Sequence, residues 1–95
     1  MSDRVGYQLV FHPEVANDLR QLDGATRKRV LKRCQWLAEH VVEIAHEPLR
    51  GQWAGTYKLR VGDYRAVYTL DHDLERVVIH AVGHRREIYR GPGLA

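Results

Sequence analysis

Thr56-Tyr57-Lys58-Leu59-Arg60-Val61-Gly62-Asp63-Tyr64-Arg65-Ala66-Val67-Tyr68 reads as a β-hairpin closed by the two-residue turn Gly62-Asp63. A turn of two residues fixes the register. Val61 then faces Tyr64, Arg60 faces Arg65, Leu59 faces Ala66, Lys58 faces Val67 and Tyr57 faces Tyr68. Cross-strand partners share a face and neighbours along a strand alternate. Tyr57, Leu59, Val61, Tyr64, Ala66 and Tyr68 therefore form an apolar side that must pack on something. Lys58, Arg60 and Arg65 form the other side.

Outward from the hairpin, the chain supplies what the apolar side needs. Val5 to Phe11 alternates as a first strand. His12-Pro13 opens a helix, with proline suited to its first turn, and Val15, Ala16, Leu19 and Leu22 share one helical face. Asp23-Gly24 ends it. Val30, Cys34, Leu37, Val41 and Ile44 recur at spacings of three and four, which predicts a second helix from about Ala25 to about Ala45. Its other side carries Arg29, Lys32, Arg33 and Glu43, read as solvated charges. Glu47-Pro48 is expected to end that helix, and Leu49-Arg50-Gly51 to begin a loop. Strands follow at about 55–61, 64–70 and 75–83, with Asp71-His72-Asp73 as a second turn. The order β-α-α-β-β-β predicts an α+β fold: a mainly antiparallel sheet with a helical hairpin packed on one face.

The chain has 95 residues and a net charge of +3, which suits a single domain over 1–95 with a small core. The tail 91–95, Gly-Pro-Gly-Leu-Ala, is expected to fray. The whole positive excess lies in residues 50–95, with 8 basic and 5 acidic side chains. Most basic residues are Arg, whose planar fork fits phosphate oxygens and stacks on bases. Cys34 is the only cysteine, so no disulfide forms within the chain, as suits a reducing cytosol. No apolar run has the length of a signal peptide or a membrane span. Cytoplasmic localisation is the expectation.

Arg60 opposite Arg65 is a like-charge pair, unfavourable by a few tenths to about 1 kcal/mol. An anion between them removes the penalty, as do acidic partners or side chains splayed into solvent. A second basic cluster, Val82-Gly83-His84-Arg85-Arg86-Glu87-Ile88-Tyr89-Arg90, follows the last strand. Gly83 permits a change of direction there, and a helical turn at Glu87-Ile88-Tyr89 would fold His84, Arg85 and Tyr89 over the basic face. An imidazole such as that of His84 can take up or release a proton, and Tyr89 suits stacking on a base or bonding to a phosphate. The other reading makes His84 surface decoration and Tyr89 a core-closing residue. Cationic and aromatic groups gathered on one small sheet point to RNA. His40, His46 and His72 fit no metal-ligand spacing, so no metal or other cofactor is expected. No glycine-rich phosphate loop, serine nucleophile motif or hydrolytic carboxylate pair is present.

The β-α-α-β-β-β order, Leu49-Arg50-Gly51, Gly62-Asp63-Tyr64-Arg65-x-x-Tyr68 and the ending Gly83-His84-Arg85-x-x-x-Tyr89-Arg90 resemble the RelE/ParE toxin superfamily, and RelE more narrowly. The resemblance spans nearly the whole chain. It implies a toxin of a type II toxin–antitoxin system: a ribosome-dependent endoribonuclease that cuts mRNA, inhibits translation and is neutralised by a RelB-like antitoxin in a hetero-oligomer. It implies that Lys58, Arg65, Arg85 and Tyr89 occupy active-site positions, with Thr56 where the family carries another lysine and His84 where close relatives also have lysine.

The implied chemistry needs no metal. The RNA 2′-hydroxyl attacks the adjacent phosphate, leaving a 2′,3′-cyclic phosphate and a 5′-hydroxyl. Lys58 and Arg65 would stabilise the charge on the phosphorane, a contribution of roughly 3–4 kcal/mol per well-placed donor. Tyr89 would orient the RNA or take the 2′-hydroxyl proton. Arg85 would sit near the leaving oxygen. Arginine stays charged to very high pH, so His84 is the more natural acid if it points inward. Arg60, Arg86, Arg90 and Thr56 are expected to hold RNA. Two alternatives remain open: a ParE-like DNA gyrase poison on the same fold, and a non-catalytic RNA-binding module, for which Thr56 is the best argument.

Overall fold

A computed structural model describes residues 6–90; the side chain of Arg90 and the expected tail 91–95 lie outside the described part. The elements run β1 (Gln8–Phe11), α1 (Val15–Arg20), α2 (Gly24–Glu39), β2 (Glu47–Pro48), a 3-10 turn (Gly51–Trp53), β3 (Tyr57–Val61), β4 (Tyr64–Asp71), β5 (Arg76–His84) and a second 3-10 turn (Ile88–Arg90). The strands form one sheet in the order β1-β5-β4-β3-β2. Only β1 and β5 pair in parallel; the other pairings are antiparallel. The α+β class is borne out, and the sheet gains an edge strand.

The hairpin register is the one the two-residue turn dictates, from Val61↔Tyr64 through Arg60↔Arg65 to Tyr57↔Tyr68. Gly62 alone in that turn has a positive φ, +60°, which suits a II′ geometry and needs glycine there. Leu59, Val61, Ala66 and Tyr68 are buried against Val30, Cys34, Leu37 and Ala38 of α2 and Val77, Ile79 and Val82 of β5, with Tyr57 and Tyr64 packed at the margin. Fully burying one such side chain is worth about 1.5–3 kcal/mol, so the apolar side of the hairpin is what holds the helices to the sheet.

The helices follow most of their local signals, but Asp23-Gly24 does not end α1: that helix stops at Arg20, and Asp23 and Gly24 instead open α2. The Asp23 carboxylate accepts the Thr26 N–H at 2.7 Å and caps α2. Arg27, one turn in, donates to the Leu19 and Leu22 carbonyls at 2.9 and 2.8 Å, satisfying groups that the end of α1 leaves free. Helix α2 stops at Glu39, short of the expected Ala45. The His40 ring bonds the Trp36 carbonyl at 2.8 Å, and β-branched Val41-Val42 follows, a poor continuation. Val41 is nevertheless buried and Ile44 packs on the core: the apolar spacing outlasts the helix.

Two further expectations are corrected. Glu47-Pro48 is an edge strand, with Glu47↔Lys58 and Pro48↔Tyr57, where proline is tolerated because its missing N–H faces outward. Gly83 does not turn the chain; it stays extended in β5, and Ile88 of the terminal turn packs over it.

Candidate functional site

The sheet face away from the helices holds the candidate site. Arg60 (β3), Arg65 (β4) and Gly83 (β5) form one cross-strand row; Lys58, Val67 and Ala81 form the next. Val67 and Ile88 are buried yet stand apart from the main core, because the terminal turn folds back over this side.

Lys58, Arg65 and Arg85 each have a defined partner. Lys58 Nζ lies 3.2 Å from Glu47 Oε2, directly across β2–β3. Arg60 is exposed. Arg65 relieves its repulsion from Arg60 by curling back: its Nη1 donates to the Gly62 and Tyr64 carbonyls at 2.9 and 2.8 Å. Arg85 approaches the same turn, with its N–H on the Asp63 carbonyl at 2.8 Å and its Nε 3.7 Å from Asp63 Oδ1. Arg65 and Arg85 thus meet at Gly62-Asp63, with Arg60 across the strand from Arg65; guanidiniums in such an arrangement suit phosphate oxygens. Arg86 is exposed, and its N–H donates to His84 Nδ1 at 3.2 Å.

Other expected residues are placed differently. His84 pairs with Tyr64, with ring centroids 5.4 Å apart, and Tyr64 packs on the core. The register therefore sets His84 on the helix side, away from Lys58 and Arg65, because alternation along β5 gives the open face to Gly83. Tyr89 does fold back, edge-on to Trp53 at 5.9 Å, but its hydroxyl is sealed from solvent with no partner among the described residues. The Thr56 hydroxyl donates to the Trp53 carbonyl at 2.7 Å; it shapes the 51–56 loop.

The sequence reasoning passed over Glu47, Trp53, His12 and His80. The last two share the open face, ring centroids 5.7 Å apart. A bulge in β5 puts Val67 opposite Ala81 and Tyr68 opposite Ile79, leaving His80 as the extra residue. His80 Nε2 bonds Thr69 Oγ1 at 2.8 Å. Burial first, and His12 second, hold His80 below the ordinary imidazole value. The polar spacing of His12 and His80 within apolar strands was a signal, but only the β1–β5 pairing joins them. Among the described residues no group of three or more His, Cys, Asp or Glu is placed to hold a metal ion, and no helix is long and apolar enough to cross a membrane.

A small α+β domain of this build is also the fold of a RelE toxin: the isolated Escherichia coli RelE toxin superposes with a TM-score of 0.68 at 26% identity, covering 82% of this chain and 83% of that one. Residues 9–89 match the family described as ParE toxin of type II toxin–antitoxin system, parDE. Toxin RelE of Mycobacterium tuberculosis is 30% identical over 94 residues, covering 95% of this chain and 93% of that protein. Toxin RelG of the same organism is 48% identical over 44 residues, 46% of this chain and 51% of that one. The toxin–antitoxin complex RelBE2 from M. tuberculosis contains a chain that superposes with a TM-score of 0.77 at 30% identity, covering 92% of this chain and all of that one. The chain belongs to the RelE/ParE superfamily and is a toxin of the type II toxin–antitoxin class.

Proposed function

We propose that this toxin is a ribosome-dependent endoribonuclease that cleaves mRNA in the cytoplasm and so inhibits translation, and that a RelB-like antitoxin neutralises it in a hetero-oligomer. The observation that carries the reading is the register-locked set of Lys58, Arg60 and Arg65 on a solvent-facing sheet, joined at its turn by Arg85. The likeness to RelE and to the toxin of a RelBE complex supports both the activity and the partner.

In this proposal the 2′-hydroxyl gives up its proton to solvent water and attacks the adjacent phosphorus, the P–O5′ bond breaks, the 5′-oxygen takes a proton from water, and a 2′,3′-cyclic phosphate and a 5′-hydroxyl remain. Lys58 and Arg65 meet the charge that grows on the phosphorane oxygens, and Arg85 meets the leaving oxygen. Arg60, Arg86 and Arg90 follow the flanking phosphates. No metal is invoked, since ammonium and guanidinium groups supply the countercharge. Tyr89 contributes once the Ile88–Arg90 turn lifts from Trp53 and frees its hydroxyl. His84, on the helix side, is not assigned the proton.

A second reading, a gyrase poison, is favoured by the description of the matching family. Both are tested by adding the purified protein to a translating extract with a defined message and mapping the message ends by primer extension. Codon-phased cuts that disappear with Arg65→Ala support the nuclease. Intact message accompanied by gyrase-linked DNA breaks supports the poison, and cuts in naked RNA remove the ribosome from the proposal. Binding to RNA with neither effect returns the protein to the passive module.

A further inference from the structure

Alongside the cationic cluster runs a groove of different chemistry. It follows β5 between α1, the 51–56 loop and the terminal turn, and encloses about 880 Å³, within the size range of small-molecule sites. None of its lining residues is Lys or Arg, while Glu14, Asp18 and Glu87 bring three carboxylates. Such a lining repels phosphate. The rest of the lining is polar, aromatic or apolar; besides Asn17, Gln21, Thr56 and the strand-end His84, it offers His12, His80, Trp53 and Gln52.

We propose that this groove binds one unpaired nucleobase of the RNA, a neighbour of the nucleotide held by Lys58 and Arg65, and that it thereby sets the base preference of cleavage. The inference rests on the nuclease reading and deepens it by naming where a base is read.

Geometry and hydrogen-bonding capacity carry the argument. The row Lys58–Val67–Ala81 leads from the cations to the groove. Lys58 and the bulge at His80 are two strands apart, roughly 10 Å at about 4.8 Å per strand spacing. That separation is within the reach of adjoining nucleotides on a single strand. His12 Nδ1 accepts the Glu14 N–H at 3.3 Å, which leaves Nε2 as the nitrogen that can donate. His80 is fixed by Thr69 through Nε2, and its Nδ1 has no partner among the described residues. Its depressed basicity keeps it uncharged at neutral pH, suited to a base edge rather than a phosphate. Gln52 is exposed, with its amide free to read donors and acceptors. Trp53 adds an aromatic surface for stacking, the usual device for an unstacked base. The three carboxylates favour a base that presents amino groups over one that presents only carbonyls.

The test uses the full chain, with uncharged nucleosides and one phosphate-bearing probe. Histidine and tryptophan side-chain resonances are followed by NMR while cytidine, adenosine or uridine is added, and separately ribose 5-phosphate. Cytidine and adenosine should move His12, His80 and Trp53 more than uridine does, and ribose 5-phosphate should move the Arg60 and Arg65 side chains instead. In cleavage, His80→Ala and the surface variant Gln52→Ala should narrow the spread of rates across bases beside the cut by roughly tenfold, the discrimination of one good base contact. If nucleosides leave the three rings unmoved, or if both variants keep the wild-type spread, the base site is overturned and the nuclease reading stands. If nucleosides bind as expected but wild type cuts no message, the nuclease reading fails and the base site stands alone.

Discussion

If the proposed nuclease reading holds, Glu47 competes with RNA for Lys58, and replacing it by Gln should tighten RNA binding. The ion pair is 3.2 Å long, and its side chains are 24% and 52% exposed for Lys58 and Glu47. Coulomb attraction at that distance in bulk water is about 1.3 kcal/mol, and exposed pairs measure about 0.2–1 kcal/mol after side-chain entropy and screening. A phosphate that takes Lys58 from Glu47 therefore gives up about 0.5–1 kcal/mol. Glu47→Gln returns that amount to binding, about a two- to fivefold lower Kd. The gain should shrink as salt rises, because the interaction is screened over a Debye length of about 10 Å at 0.1 M. The assay is fluorescence anisotropy with a labelled RNA whose 2′-hydroxyls are all methylated, so that nothing is cut. Glu43→Gln, an exposed carboxylate with no ion pair to Lys58, serves as control. In a Lys58→Met background the effect of Glu47→Gln should vanish. Weaker binding by Glu47→Gln would refute the competition and show that the carboxylate positions Lys58 for RNA. An equal gain in the Lys58→Met background would show that the effect does not pass through the lysine.

Tyr89→Phe should keep or raise stability by up to about 1 kcal/mol, since it removes a sealed hydroxyl without a partner, while message cleavage falls; urea midpoints and single-turnover rates separate the two. Asp23→Ala should lower the melting temperature at pH 7. The bond from the Thr26 N–H holds the Asp23 carboxyl below its ordinary value, so the carboxylate stabilises the fold above the unfolded pKa and stops doing so as pH falls through the lower folded one. Melts repeated into acid should therefore show the mutant's deficit closing. Cys34 is wholly buried and its thiol is pushed up to about 12 by burial, so a thiol alkylating reagent at pH 8 should modify it only after denaturant is added.

How far the residues alone lead differs from place to place. The β3–β4 hairpin was legible to the single residue, because Gly62-Asp63 leaves one register and alternation then assigns every side chain. The cationic face of Lys58, Arg60 and Arg65 followed directly. The end of α2 was not legible: Val41 and Ile44 keep helical spacing after the helix has stopped at the His40 cap. Glu47-Pro48 was read as a helix end because two residues carry no period, and its strand pairing exists only once β3 is beside it.

Local pattern determined the hairpin, the existence of the two helices, the order of the main elements apart from the Glu47-Pro48 edge strand, and the sign of the charge on the open face, since each depends on neighbours a few residues apart. Tertiary structure decided what those charges meet. It set Glu47 against Lys58, bent Arg65 onto the Gly62 carbonyl, brought Arg85 to Asp63 and laid Tyr89 against Trp53. It turned His84 to the helices and, through one bulged residue in β5, turned His80 to the open face beside His12. The reason is geometric: a strand's side chains change face with each residue, so a single inserted position or a pairing across 68 residues between His12 and His80 reassigns a histidine that no short-range pattern can place.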